Sequence, residues 1–396
     1  MKQLHVVGSY PNGTHTFVLW QLMGAHSLGH ETTVLAAHTG NDPGYQLARQ
    51  LGLDDRDAIY ANYRTTSPWR PDPRRFSPAV IRAANKAYYG RILAERRKSF
   101  FCELLSNRKI KSADLVQVHF TSWAIEVGIP LAKLLDLPCV VTAHGAVADT
   151  PIESLRYVQE SADAIVVVSD NERRVWTDRT GSHQKLYRVW NGLPINDPPQ
   201  RTRKQAGHTL ELVSIGRLAP EKRIGDIVLA VARLRELGYD CRLSIFGEGP
   251  LRASLESQIR QLNLADRISL EGVIPHEKVM GKLANSDVLV HAAEIEPFGL
   301  AMIEGMSAAL PVVAAHSNGA SEIVVHGTTG YLYTPGDVAR LVEHIAGLAD
   351  DVNVSEALGC AGRRRVEQEF SLEAHMRNME QVWQTALRVH RTTPTR

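Results

Sequence analysis

Two stretches of this sequence combine residue types suited to gripping an anionic leaving group. The first is Glu296-Pro297-Phe298-Gly299-Leu300-Ala301-Met302-Ile303-Glu304. It follows an apolar run at 288–291 and opens a helical pattern, so it marks a strand-to-helix turn. Pro297 suits a helix entry, and Gly299 lets a ligand approach the backbone closely. The N–H groups of Gly299, Leu300 and Ala301 would then lack intrahelical acceptors and form an anion site. Glu296 stands just before the helix. Glu304 falls inside it on an otherwise apolar stretch, where an unused carboxylate is costly. The second stretch is Gly216-Arg217-Leu218-Ala219-Pro220-Glu221-Lys222, directly after a strand candidate at 210–215. Arg217 and Lys222 are two cations on one loop and suit a diphosphate. A guanidinium grips two oxygens at once, and an ammonium acts as a point charge.

Two further signals also sit at strand ends. Gly247-Glu248-Gly249-Pro250 follows an apolar run and precedes a helix, although a Gly-x-Gly alone also describes a plain turn. Thr142-Ala143-His144-Gly145 ends another apolar run, which puts His144 on the ligand-facing edge of a sheet; His119, ending the run before, is a lesser candidate. Asp55-Arg56-Asp57 has the Asp-x-Asp spacing of metal-dependent transferases, but it lies in a polar loop and reads as a solvated turn. No metal and no cofactor are expected. Cys102, Cys139, Cys241 and Cys360 are far apart with no CxxC pair, so they read as free thiols in a reducing compartment.

The elements that must position these residues alternate. Strand candidates at 4–7, 32–36, 115–119, 139–142, 164–168 and 186–190 form one series. Candidates at 210–215, 242–246, 268–271, 288–291, 311–314 and 331–333 form another. Helical patterns such as 17–28, 224–237 and 250–262 lie between them. β-branched runs separated by amphipathic helices predict parallel sheets covered on both faces. Between the series, residues 196–207 are polar, proline-bearing and without periodicity, as a linker would be. The reading is an α/β chain of two Rossmann-like doubly wound domains. Residues 1–197 form the first and 198–371 the second, and an amphipathic helix over 372–389 opens the final segment 372–396.

Composition narrows the class. The chain has 396 residues, 44% hydrophobic and 22% charged, with a formal charge of +2, so bulk electrostatics do not point to nucleic acid. The N-terminal apolar run is too short for a signal peptide, and no window approaches the ~18 apolar residues of a membrane span. A cytoplasmic location is expected. Residues 82–111 hold nine Lys or Arg and two Glu, interleaved with Tyr88, Tyr89, Phe100 and Phe101. That segment reads either as a solvated helix or as a peripheral contact with anionic membrane on the inner face.

Taken in order, these residues resemble family 4 of the glycosyltransferases, retaining enzymes of the GT-B fold. The resemblance rests on Glu296-Pro-Phe-Gly with Glu304 eight positions on, Gly216-Arg-Leu with Lys222, and Ala143-His144-Gly145. It extends over nearly the whole chain through residues 189–194, 286–290 and 317–337. Residues 15–18 and 116–128 look like members that build bacterial exopolysaccharides. The first loop departs from the pattern: Gly8-Ser9-Tyr10 carries one glycine where many relatives have two. First-loop contacts are therefore not carried over.

The resemblance implies a hexosyltransferase that moves a sugar from a nucleotide diphosphate, UDP being the commonest, to a carbohydrate or lipid-linked hydroxyl across a cleft between the domains. It also implies that the final segment 372–396 packs back on the first domain. Glu296 would hold donor-sugar hydroxyls and Glu304 the ribose. Arg217 and Lys222 would neutralise the departing diphosphate, with Gly216, Gly247, Phe298, Gly299, Leu300 and Ala301 lining the donor. Backbone at Val273 and Ile274 would meet the base, and His144 the donor sugar. A sugar-nucleotide epimerase of the same shape and a catalytically silent sugar-nucleotide-binding protein are the alternative readings.

Overall fold

A computed structural model describes residues 1–10, 16–39, 42–53, 58–60, 101, 103–145, 147–195 and 209–392. The chain divides into two compact units. One comprises Met1–Val189 with Met376–Arg396, and the other Trp190–His375.

The described strands of the first unit are β1 (Lys2–Tyr10), β2 (Glu31–Thr39), β3 (Ala58–Tyr60), β4 (Leu115–His119), β5 (Cys139–Thr142), β6 (Ala164–Val167) and β7 (Leu186–Arg188). All pair in parallel, in the order β3-β2-β1-β4-β5-β6-β7. Every residue of β4, β5 and β6 is buried. That explains the mostly apolar character of the β5 and β6 runs: helices cover both faces of a central parallel strand. The polar exceptions on β4 are satisfied. Gln117 accepts from Trp383 Nε1 at 2.9 Å and donates to Thr142 Oγ1 at 3.0 Å. Trp383 lies on the helix Leu372–Thr392, fully buried, in the part of the chain that returns to this unit.

The second unit holds β8 (Leu210–Ile215), β9 (Cys241–Phe246), β10 (Ile268–Gly272), β11 (Val288–His291), β12 (Val312–Ala315) and β13 (Gly330–Tyr333). They are again parallel, in the order β10-β9-β8-β11-β12-β13. In both sheets the chain order reverses once, between β1 and β4 and between β8 and β11. In open α/β sheets, ligands bind outside the carboxyl ends of the strands at such a switch point.

Three sequence expectations change. β1 runs on through Gly8 and Ser9 to Tyr10, so Gly8 is in a strand rather than a loop. A Cβ at Gly8 would stand 2.5 Å from Trp123 Nε1, so glycine is what lets the indole pack there. The helix after β11 starts at Leu300 with Gly299 as its cap, so Pro297 precedes the helix and is not its first turn. β3 is a three-residue edge strand that periodicity did not signal. The Asp55–Asp57 turn, the linker at 196–207, and residues 82–100 and 102 of the basic segment 82–111 lie outside the described residues. Within that basic segment, Arg108–Lys111 forms a helix capped by Asn107, whose side chain accepts from Lys109 N at 2.9 Å. No described helix is long and apolar enough to cross a membrane.

Candidate active site

In the second unit, parallel pairing brings the loops after β8, β9, β10, β11 and β12 to one edge. The loops after β8 and β11 flank the switch point, and these are the loops that carry Arg217, Lys222 and Glu296. The β8 loop is seated by its neighbours. Gly216 N donates to Phe246 O at 2.9 Å, Leu218 N to Glu248 O at 2.9 Å, and Gly247 N to Gly272 O at 2.8 Å. Gly247 has φ +139°, and a Cβ there would fall 1.9 Å from Gly216 O. The Gly-x-Gly after β9 is thus a close backbone approach that supports the Arg217 loop. Val273 and Ile274 follow Gly272 at the end of β10, with Val273 exposed.

A short 3₁₀ turn, Pro220–Lys222, aims Lys222 toward the β11 loop. Its ammonium donates to Glu296 Oε2 at 2.6 Å, with side chains only 17% and 11% exposed. His291, the last residue of β11, reaches the same oxygen through Nε2 at 3.0 Å. Burial would push the Glu296 carboxyl up, but His291 and Lys222 outweigh it and hold it at about 2. The carboxylate is therefore ionised across the ordinary pH range. Arg217 pairs with Glu221 and is largely exposed. Such a pair contributes little, so Arg217 can exchange partners at small cost. The backbone hydrogen bond within Glu221, then Arg217 and Lys222, hold the Glu221 carboxyl down against its burial.

Gly299 caps the helix Leu300–Ser307 at φ +109°, where L side chains are strained. The N–H groups of Leu300 and Ala301 lie in the first turn, which has no intrahelical acceptors. Phe298 is buried beside them. Glu304 is buried in that helix and faces His276 Nε2 at 3.2 Å. The β12 loop locks the arrangement: Gly319 N donates to Glu296 O at 2.8 Å. A Cβ on Gly319 would come within 2.3 Å of Phe298 O and 2.6 Å of Glu296 O. Gly319→Ala should therefore displace the Glu296–Phe298 segment, costing about 1–3 kcal/mol by overpacking. Melting temperature and turnover should fall together; unchanged turnover would show that the segment tolerates the shift.

In the first unit, His144 follows β5 at φ +53°, beside Gly145 at φ +93°. Glu172 holds this turn. Its Oε1 accepts from Gly145 N at 2.6 Å and its Oε2 from Val168 N at 2.8 Å. His144 Nε2 lies 3.0 Å from His119 Nδ1, and His119 Nε2 lies 3.1 Å from His5 Nδ1. Burial, then His26 and His30, push the inner ring, His5, down to about 3, so it stays neutral. A cavity of about 600 Å³ opens at the ends of β1 and β4, lined by Ser9, Phe120, Ser122, Trp123, Glu126 and Asp149 among others. Burial pushes the Glu126 carboxyl up. Among the described residues no group of three or more His, Cys, Asp or Glu is placed to hold a metal ion.

The structure thus joins Lys222 to Glu296 and gathers Gly216, Arg217, Gly247, Phe298, Gly299, Leu300, Ala301 and Glu304 on loops and a helix start along one sheet edge. His144 belongs to the other unit. Sequence reasoning missed His291, His276 and Glu172. His291 looked like the end of an apolar strand. Ser169-x-x-Glu172 has the capping-box spacing, and Ser169 Oγ does accept from Glu172 N at 3.1 Å. The second task of Glu172, at Gly145, had no sequence signal.

Two parallel α/β units, each with a site at its switch point, are the architecture of a GT-B glycosyltransferase. The model "Glycosyltransferase Family 4" matches residues 11–197 and "Glycosyl transferases group 1" matches residues 200–365. The chain belongs to glycosyltransferase family 4, and it is an enzyme of that class. It is 23% identical to the amylovoran biosynthesis glycosyltransferase AmsK of Erwinia amylovora, over 96% of this chain and 99% of that one. It is 27% identical to a glycogen synthase of Mycobacterium tuberculosis, over 69% and 70% of the two chains. Among solved structures, HepE of Anabaena in complex with UDP and glucose superimposes with a TM-score of 0.74 at 19% identity, covering 96% of this chain and 98% of that one.

Proposed function

We propose that this enzyme is a retaining, metal-independent transferase that moves a sugar from a UDP-sugar to a hydroxyl acceptor in polysaccharide assembly. The observation that carries the donor reading is the mostly enclosed Lys222–Glu296 pair beside the Leu300 helix start, at the β8/β11 switch point. A carboxylate held ionised there can accept from sugar hydroxyls and offset positive charge on the ring. Lys222 has two further N–H donors for a phosphate oxygen, and Arg217 can leave Glu221 for another. With the first-turn amides they stabilise charge as it develops on the leaving group. Glu304 accepts from the ribose. The UDP held by HepE supports the choice of base, and AmsK supports polysaccharide assembly.

In the reaction, the bond from the anomeric carbon to the phosphate oxygen breaks and a bond to the acceptor oxygen forms on the same face. The acceptor proton passes to the departing phosphate oxygen. The cavity of the first unit bearing Ser9, Trp123 and Glu126 takes the acceptor. The cations Arg217 and Lys222 supply the positive charge that a divalent metal supplies in other transferases.

A thermal-shift series with UDP-, GDP- and ADP-sugars in EDTA tests this reading. Saturation at 100-fold over Kd should stabilise the protein by about 2.7 kcal/mol. UDP-sugars should give the shift, and Lys222→Ala should abolish most of it. No shift with any nucleotide sugar would overturn the site, and a product of inverted anomeric configuration would overturn retention.

A further inference from the structure

We propose that His291 is a positioning residue, which sets the carboxylate plane of Glu296 so that Oε1 is the atom that meets the donor sugar. This rests on the donor reading above. Both protein donors to the carboxylate reach one oxygen, Oε2: His291 Nε2 at 3.0 Å and Lys222 Nζ at 2.6 Å. No donor to Oε1 is found among the described residues. An ionised carboxylate only accepts, so His291 carries its hydrogen on Nε2.

The two partners do different things. The terminal torsion of a glutamate is broad and roughly two-fold, so rotamer preference alone does not fix the plane of its oxygens. Lys222 brings a compact charge on a flexible stem, which neutralises without orienting. His291 brings a rigid ring, 5% exposed, anchored on the last residue of a buried strand. The main chain of Glu296 is held separately by Gly319 N. The ring therefore supplies the restraint that backbone and lysine do not. The other charged groups close by are already paired: Glu294 with Arg223 at 3.3 Å, and Glu221 with Arg217.

The sign of the pH effect follows. Burial raises the Glu296 carboxyl, and His291 with Lys222 lowers it to about 2 from an ordinary 4.5. A depressed carboxyl contributes stability that is present above its ordinary value and is lost as pH falls toward 2. Without His291, burial is opposed by Lys222 alone, so the carboxyl must titrate at higher pH.

The test uses the full chain with His291→Leu and His291→Gln, the second carrying an N–H donor of similar reach. A carbon-13 NMR titration of the Glu296 carboxyl should move up in the leucine variant and return most of the way in the glutamine variant. The acid limb of kcat/KM should move with it. The leucine variant should lose about 10- to 100-fold in kcat, the scale of a misplaced reacting group, with KM for the nucleotide sugar changed only a few-fold. If it fails to fold, His291→Asn, whose amide is too short to reach Oε2, replaces it. An unmoved Glu296 titration, or equal kcat losses in the glutamine and leucine variants, overturns the proposal. A wild-type protein without sugar transfer defeats the donor reading instead, and the carboxyl titration still decides whether His291 holds Glu296.

Discussion

Glu296→Gln should lower turnover by about 10²–10³-fold while nucleotide binding stays within a few-fold of wild type. The substitution keeps the shape of the side chain and removes its charge. That charge acts on the sugar ring as it turns positive, and charge placed in advance in a water-poor site is worth about that factor. The nucleotide is held by other groups, so a thermal shift with UDP alone should persist. Lys222 would meanwhile lose its counter-ion at a site where its side chain is only 17% exposed. Removing one partner of a buried pair is destabilising, here by up to about 3 kcal/mol because the pair is not fully enclosed. Steady-state kinetics with calorimetry separates the two effects. Near-wild-type turnover in Glu296→Gln would remove the carboxylate from the chemistry.

The second large effect concerns stability and falls on the other unit. Trp383→Ala should cost about 3–5 kcal/mol, the range for truncating a buried aromatic. The indole is fully buried, packs edge-on against the His30 ring at 5.7 Å, and donates to Gln117 in the middle of β4. Its loss leaves a cavity and a buried amide oxygen short of a donor. Because the units have separate cores, differential scanning calorimetry should show the first unit's transition moving down and the second unit's staying in place. Trp383→Phe should recover much of the packing and none of the hydrogen bond. Equal displacement of both transitions would mean that the units do not melt separately.

Much of the scaffold was legible because buried parallel strands announce themselves. The runs at 115–119, 139–142, 210–215 and 288–291 match β4, β5, β8 and β11 residue for residue. The errors cluster where a residue serves a distant partner. Gly8-Ser9 has the composition of a turn, yet the strand continues, with Ser9 and Tyr10 still paired to His38 and Thr39 of β2, and the glycine there leaves room for Trp123. Pro297 looks like a helix entry, yet the backbone at Gly299 sets the boundary. For the site, Lys222 and Glu296 were each readable from local chemistry. Their pairing was not, since it depends on β8 and β11 lying side by side although β9 and β10 intervene in sequence. His291 was hidden for a related reason: hydrophobic pattern assigns it to a strand, and only the fold shows what its ring touches. The stacked rings of His5, His119 and His144 belong to three different strand regions and share no local signature.

The return of the chain to the first unit at Met376 has a consequence for biosynthesis. On the ribosome, residues 190–375 emerge with every strand of their sheet already made and can complete a folding unit at once. The earlier-made sheet must wait, its Gln117 and the surface around it uncovered, until the helix carrying Trp383 has itself emerged. Domains usually mature in the order in which they are synthesised. Here the second half is expected to finish first, and the first half spends that interval as the more chaperone-dependent portion of the nascent polypeptide.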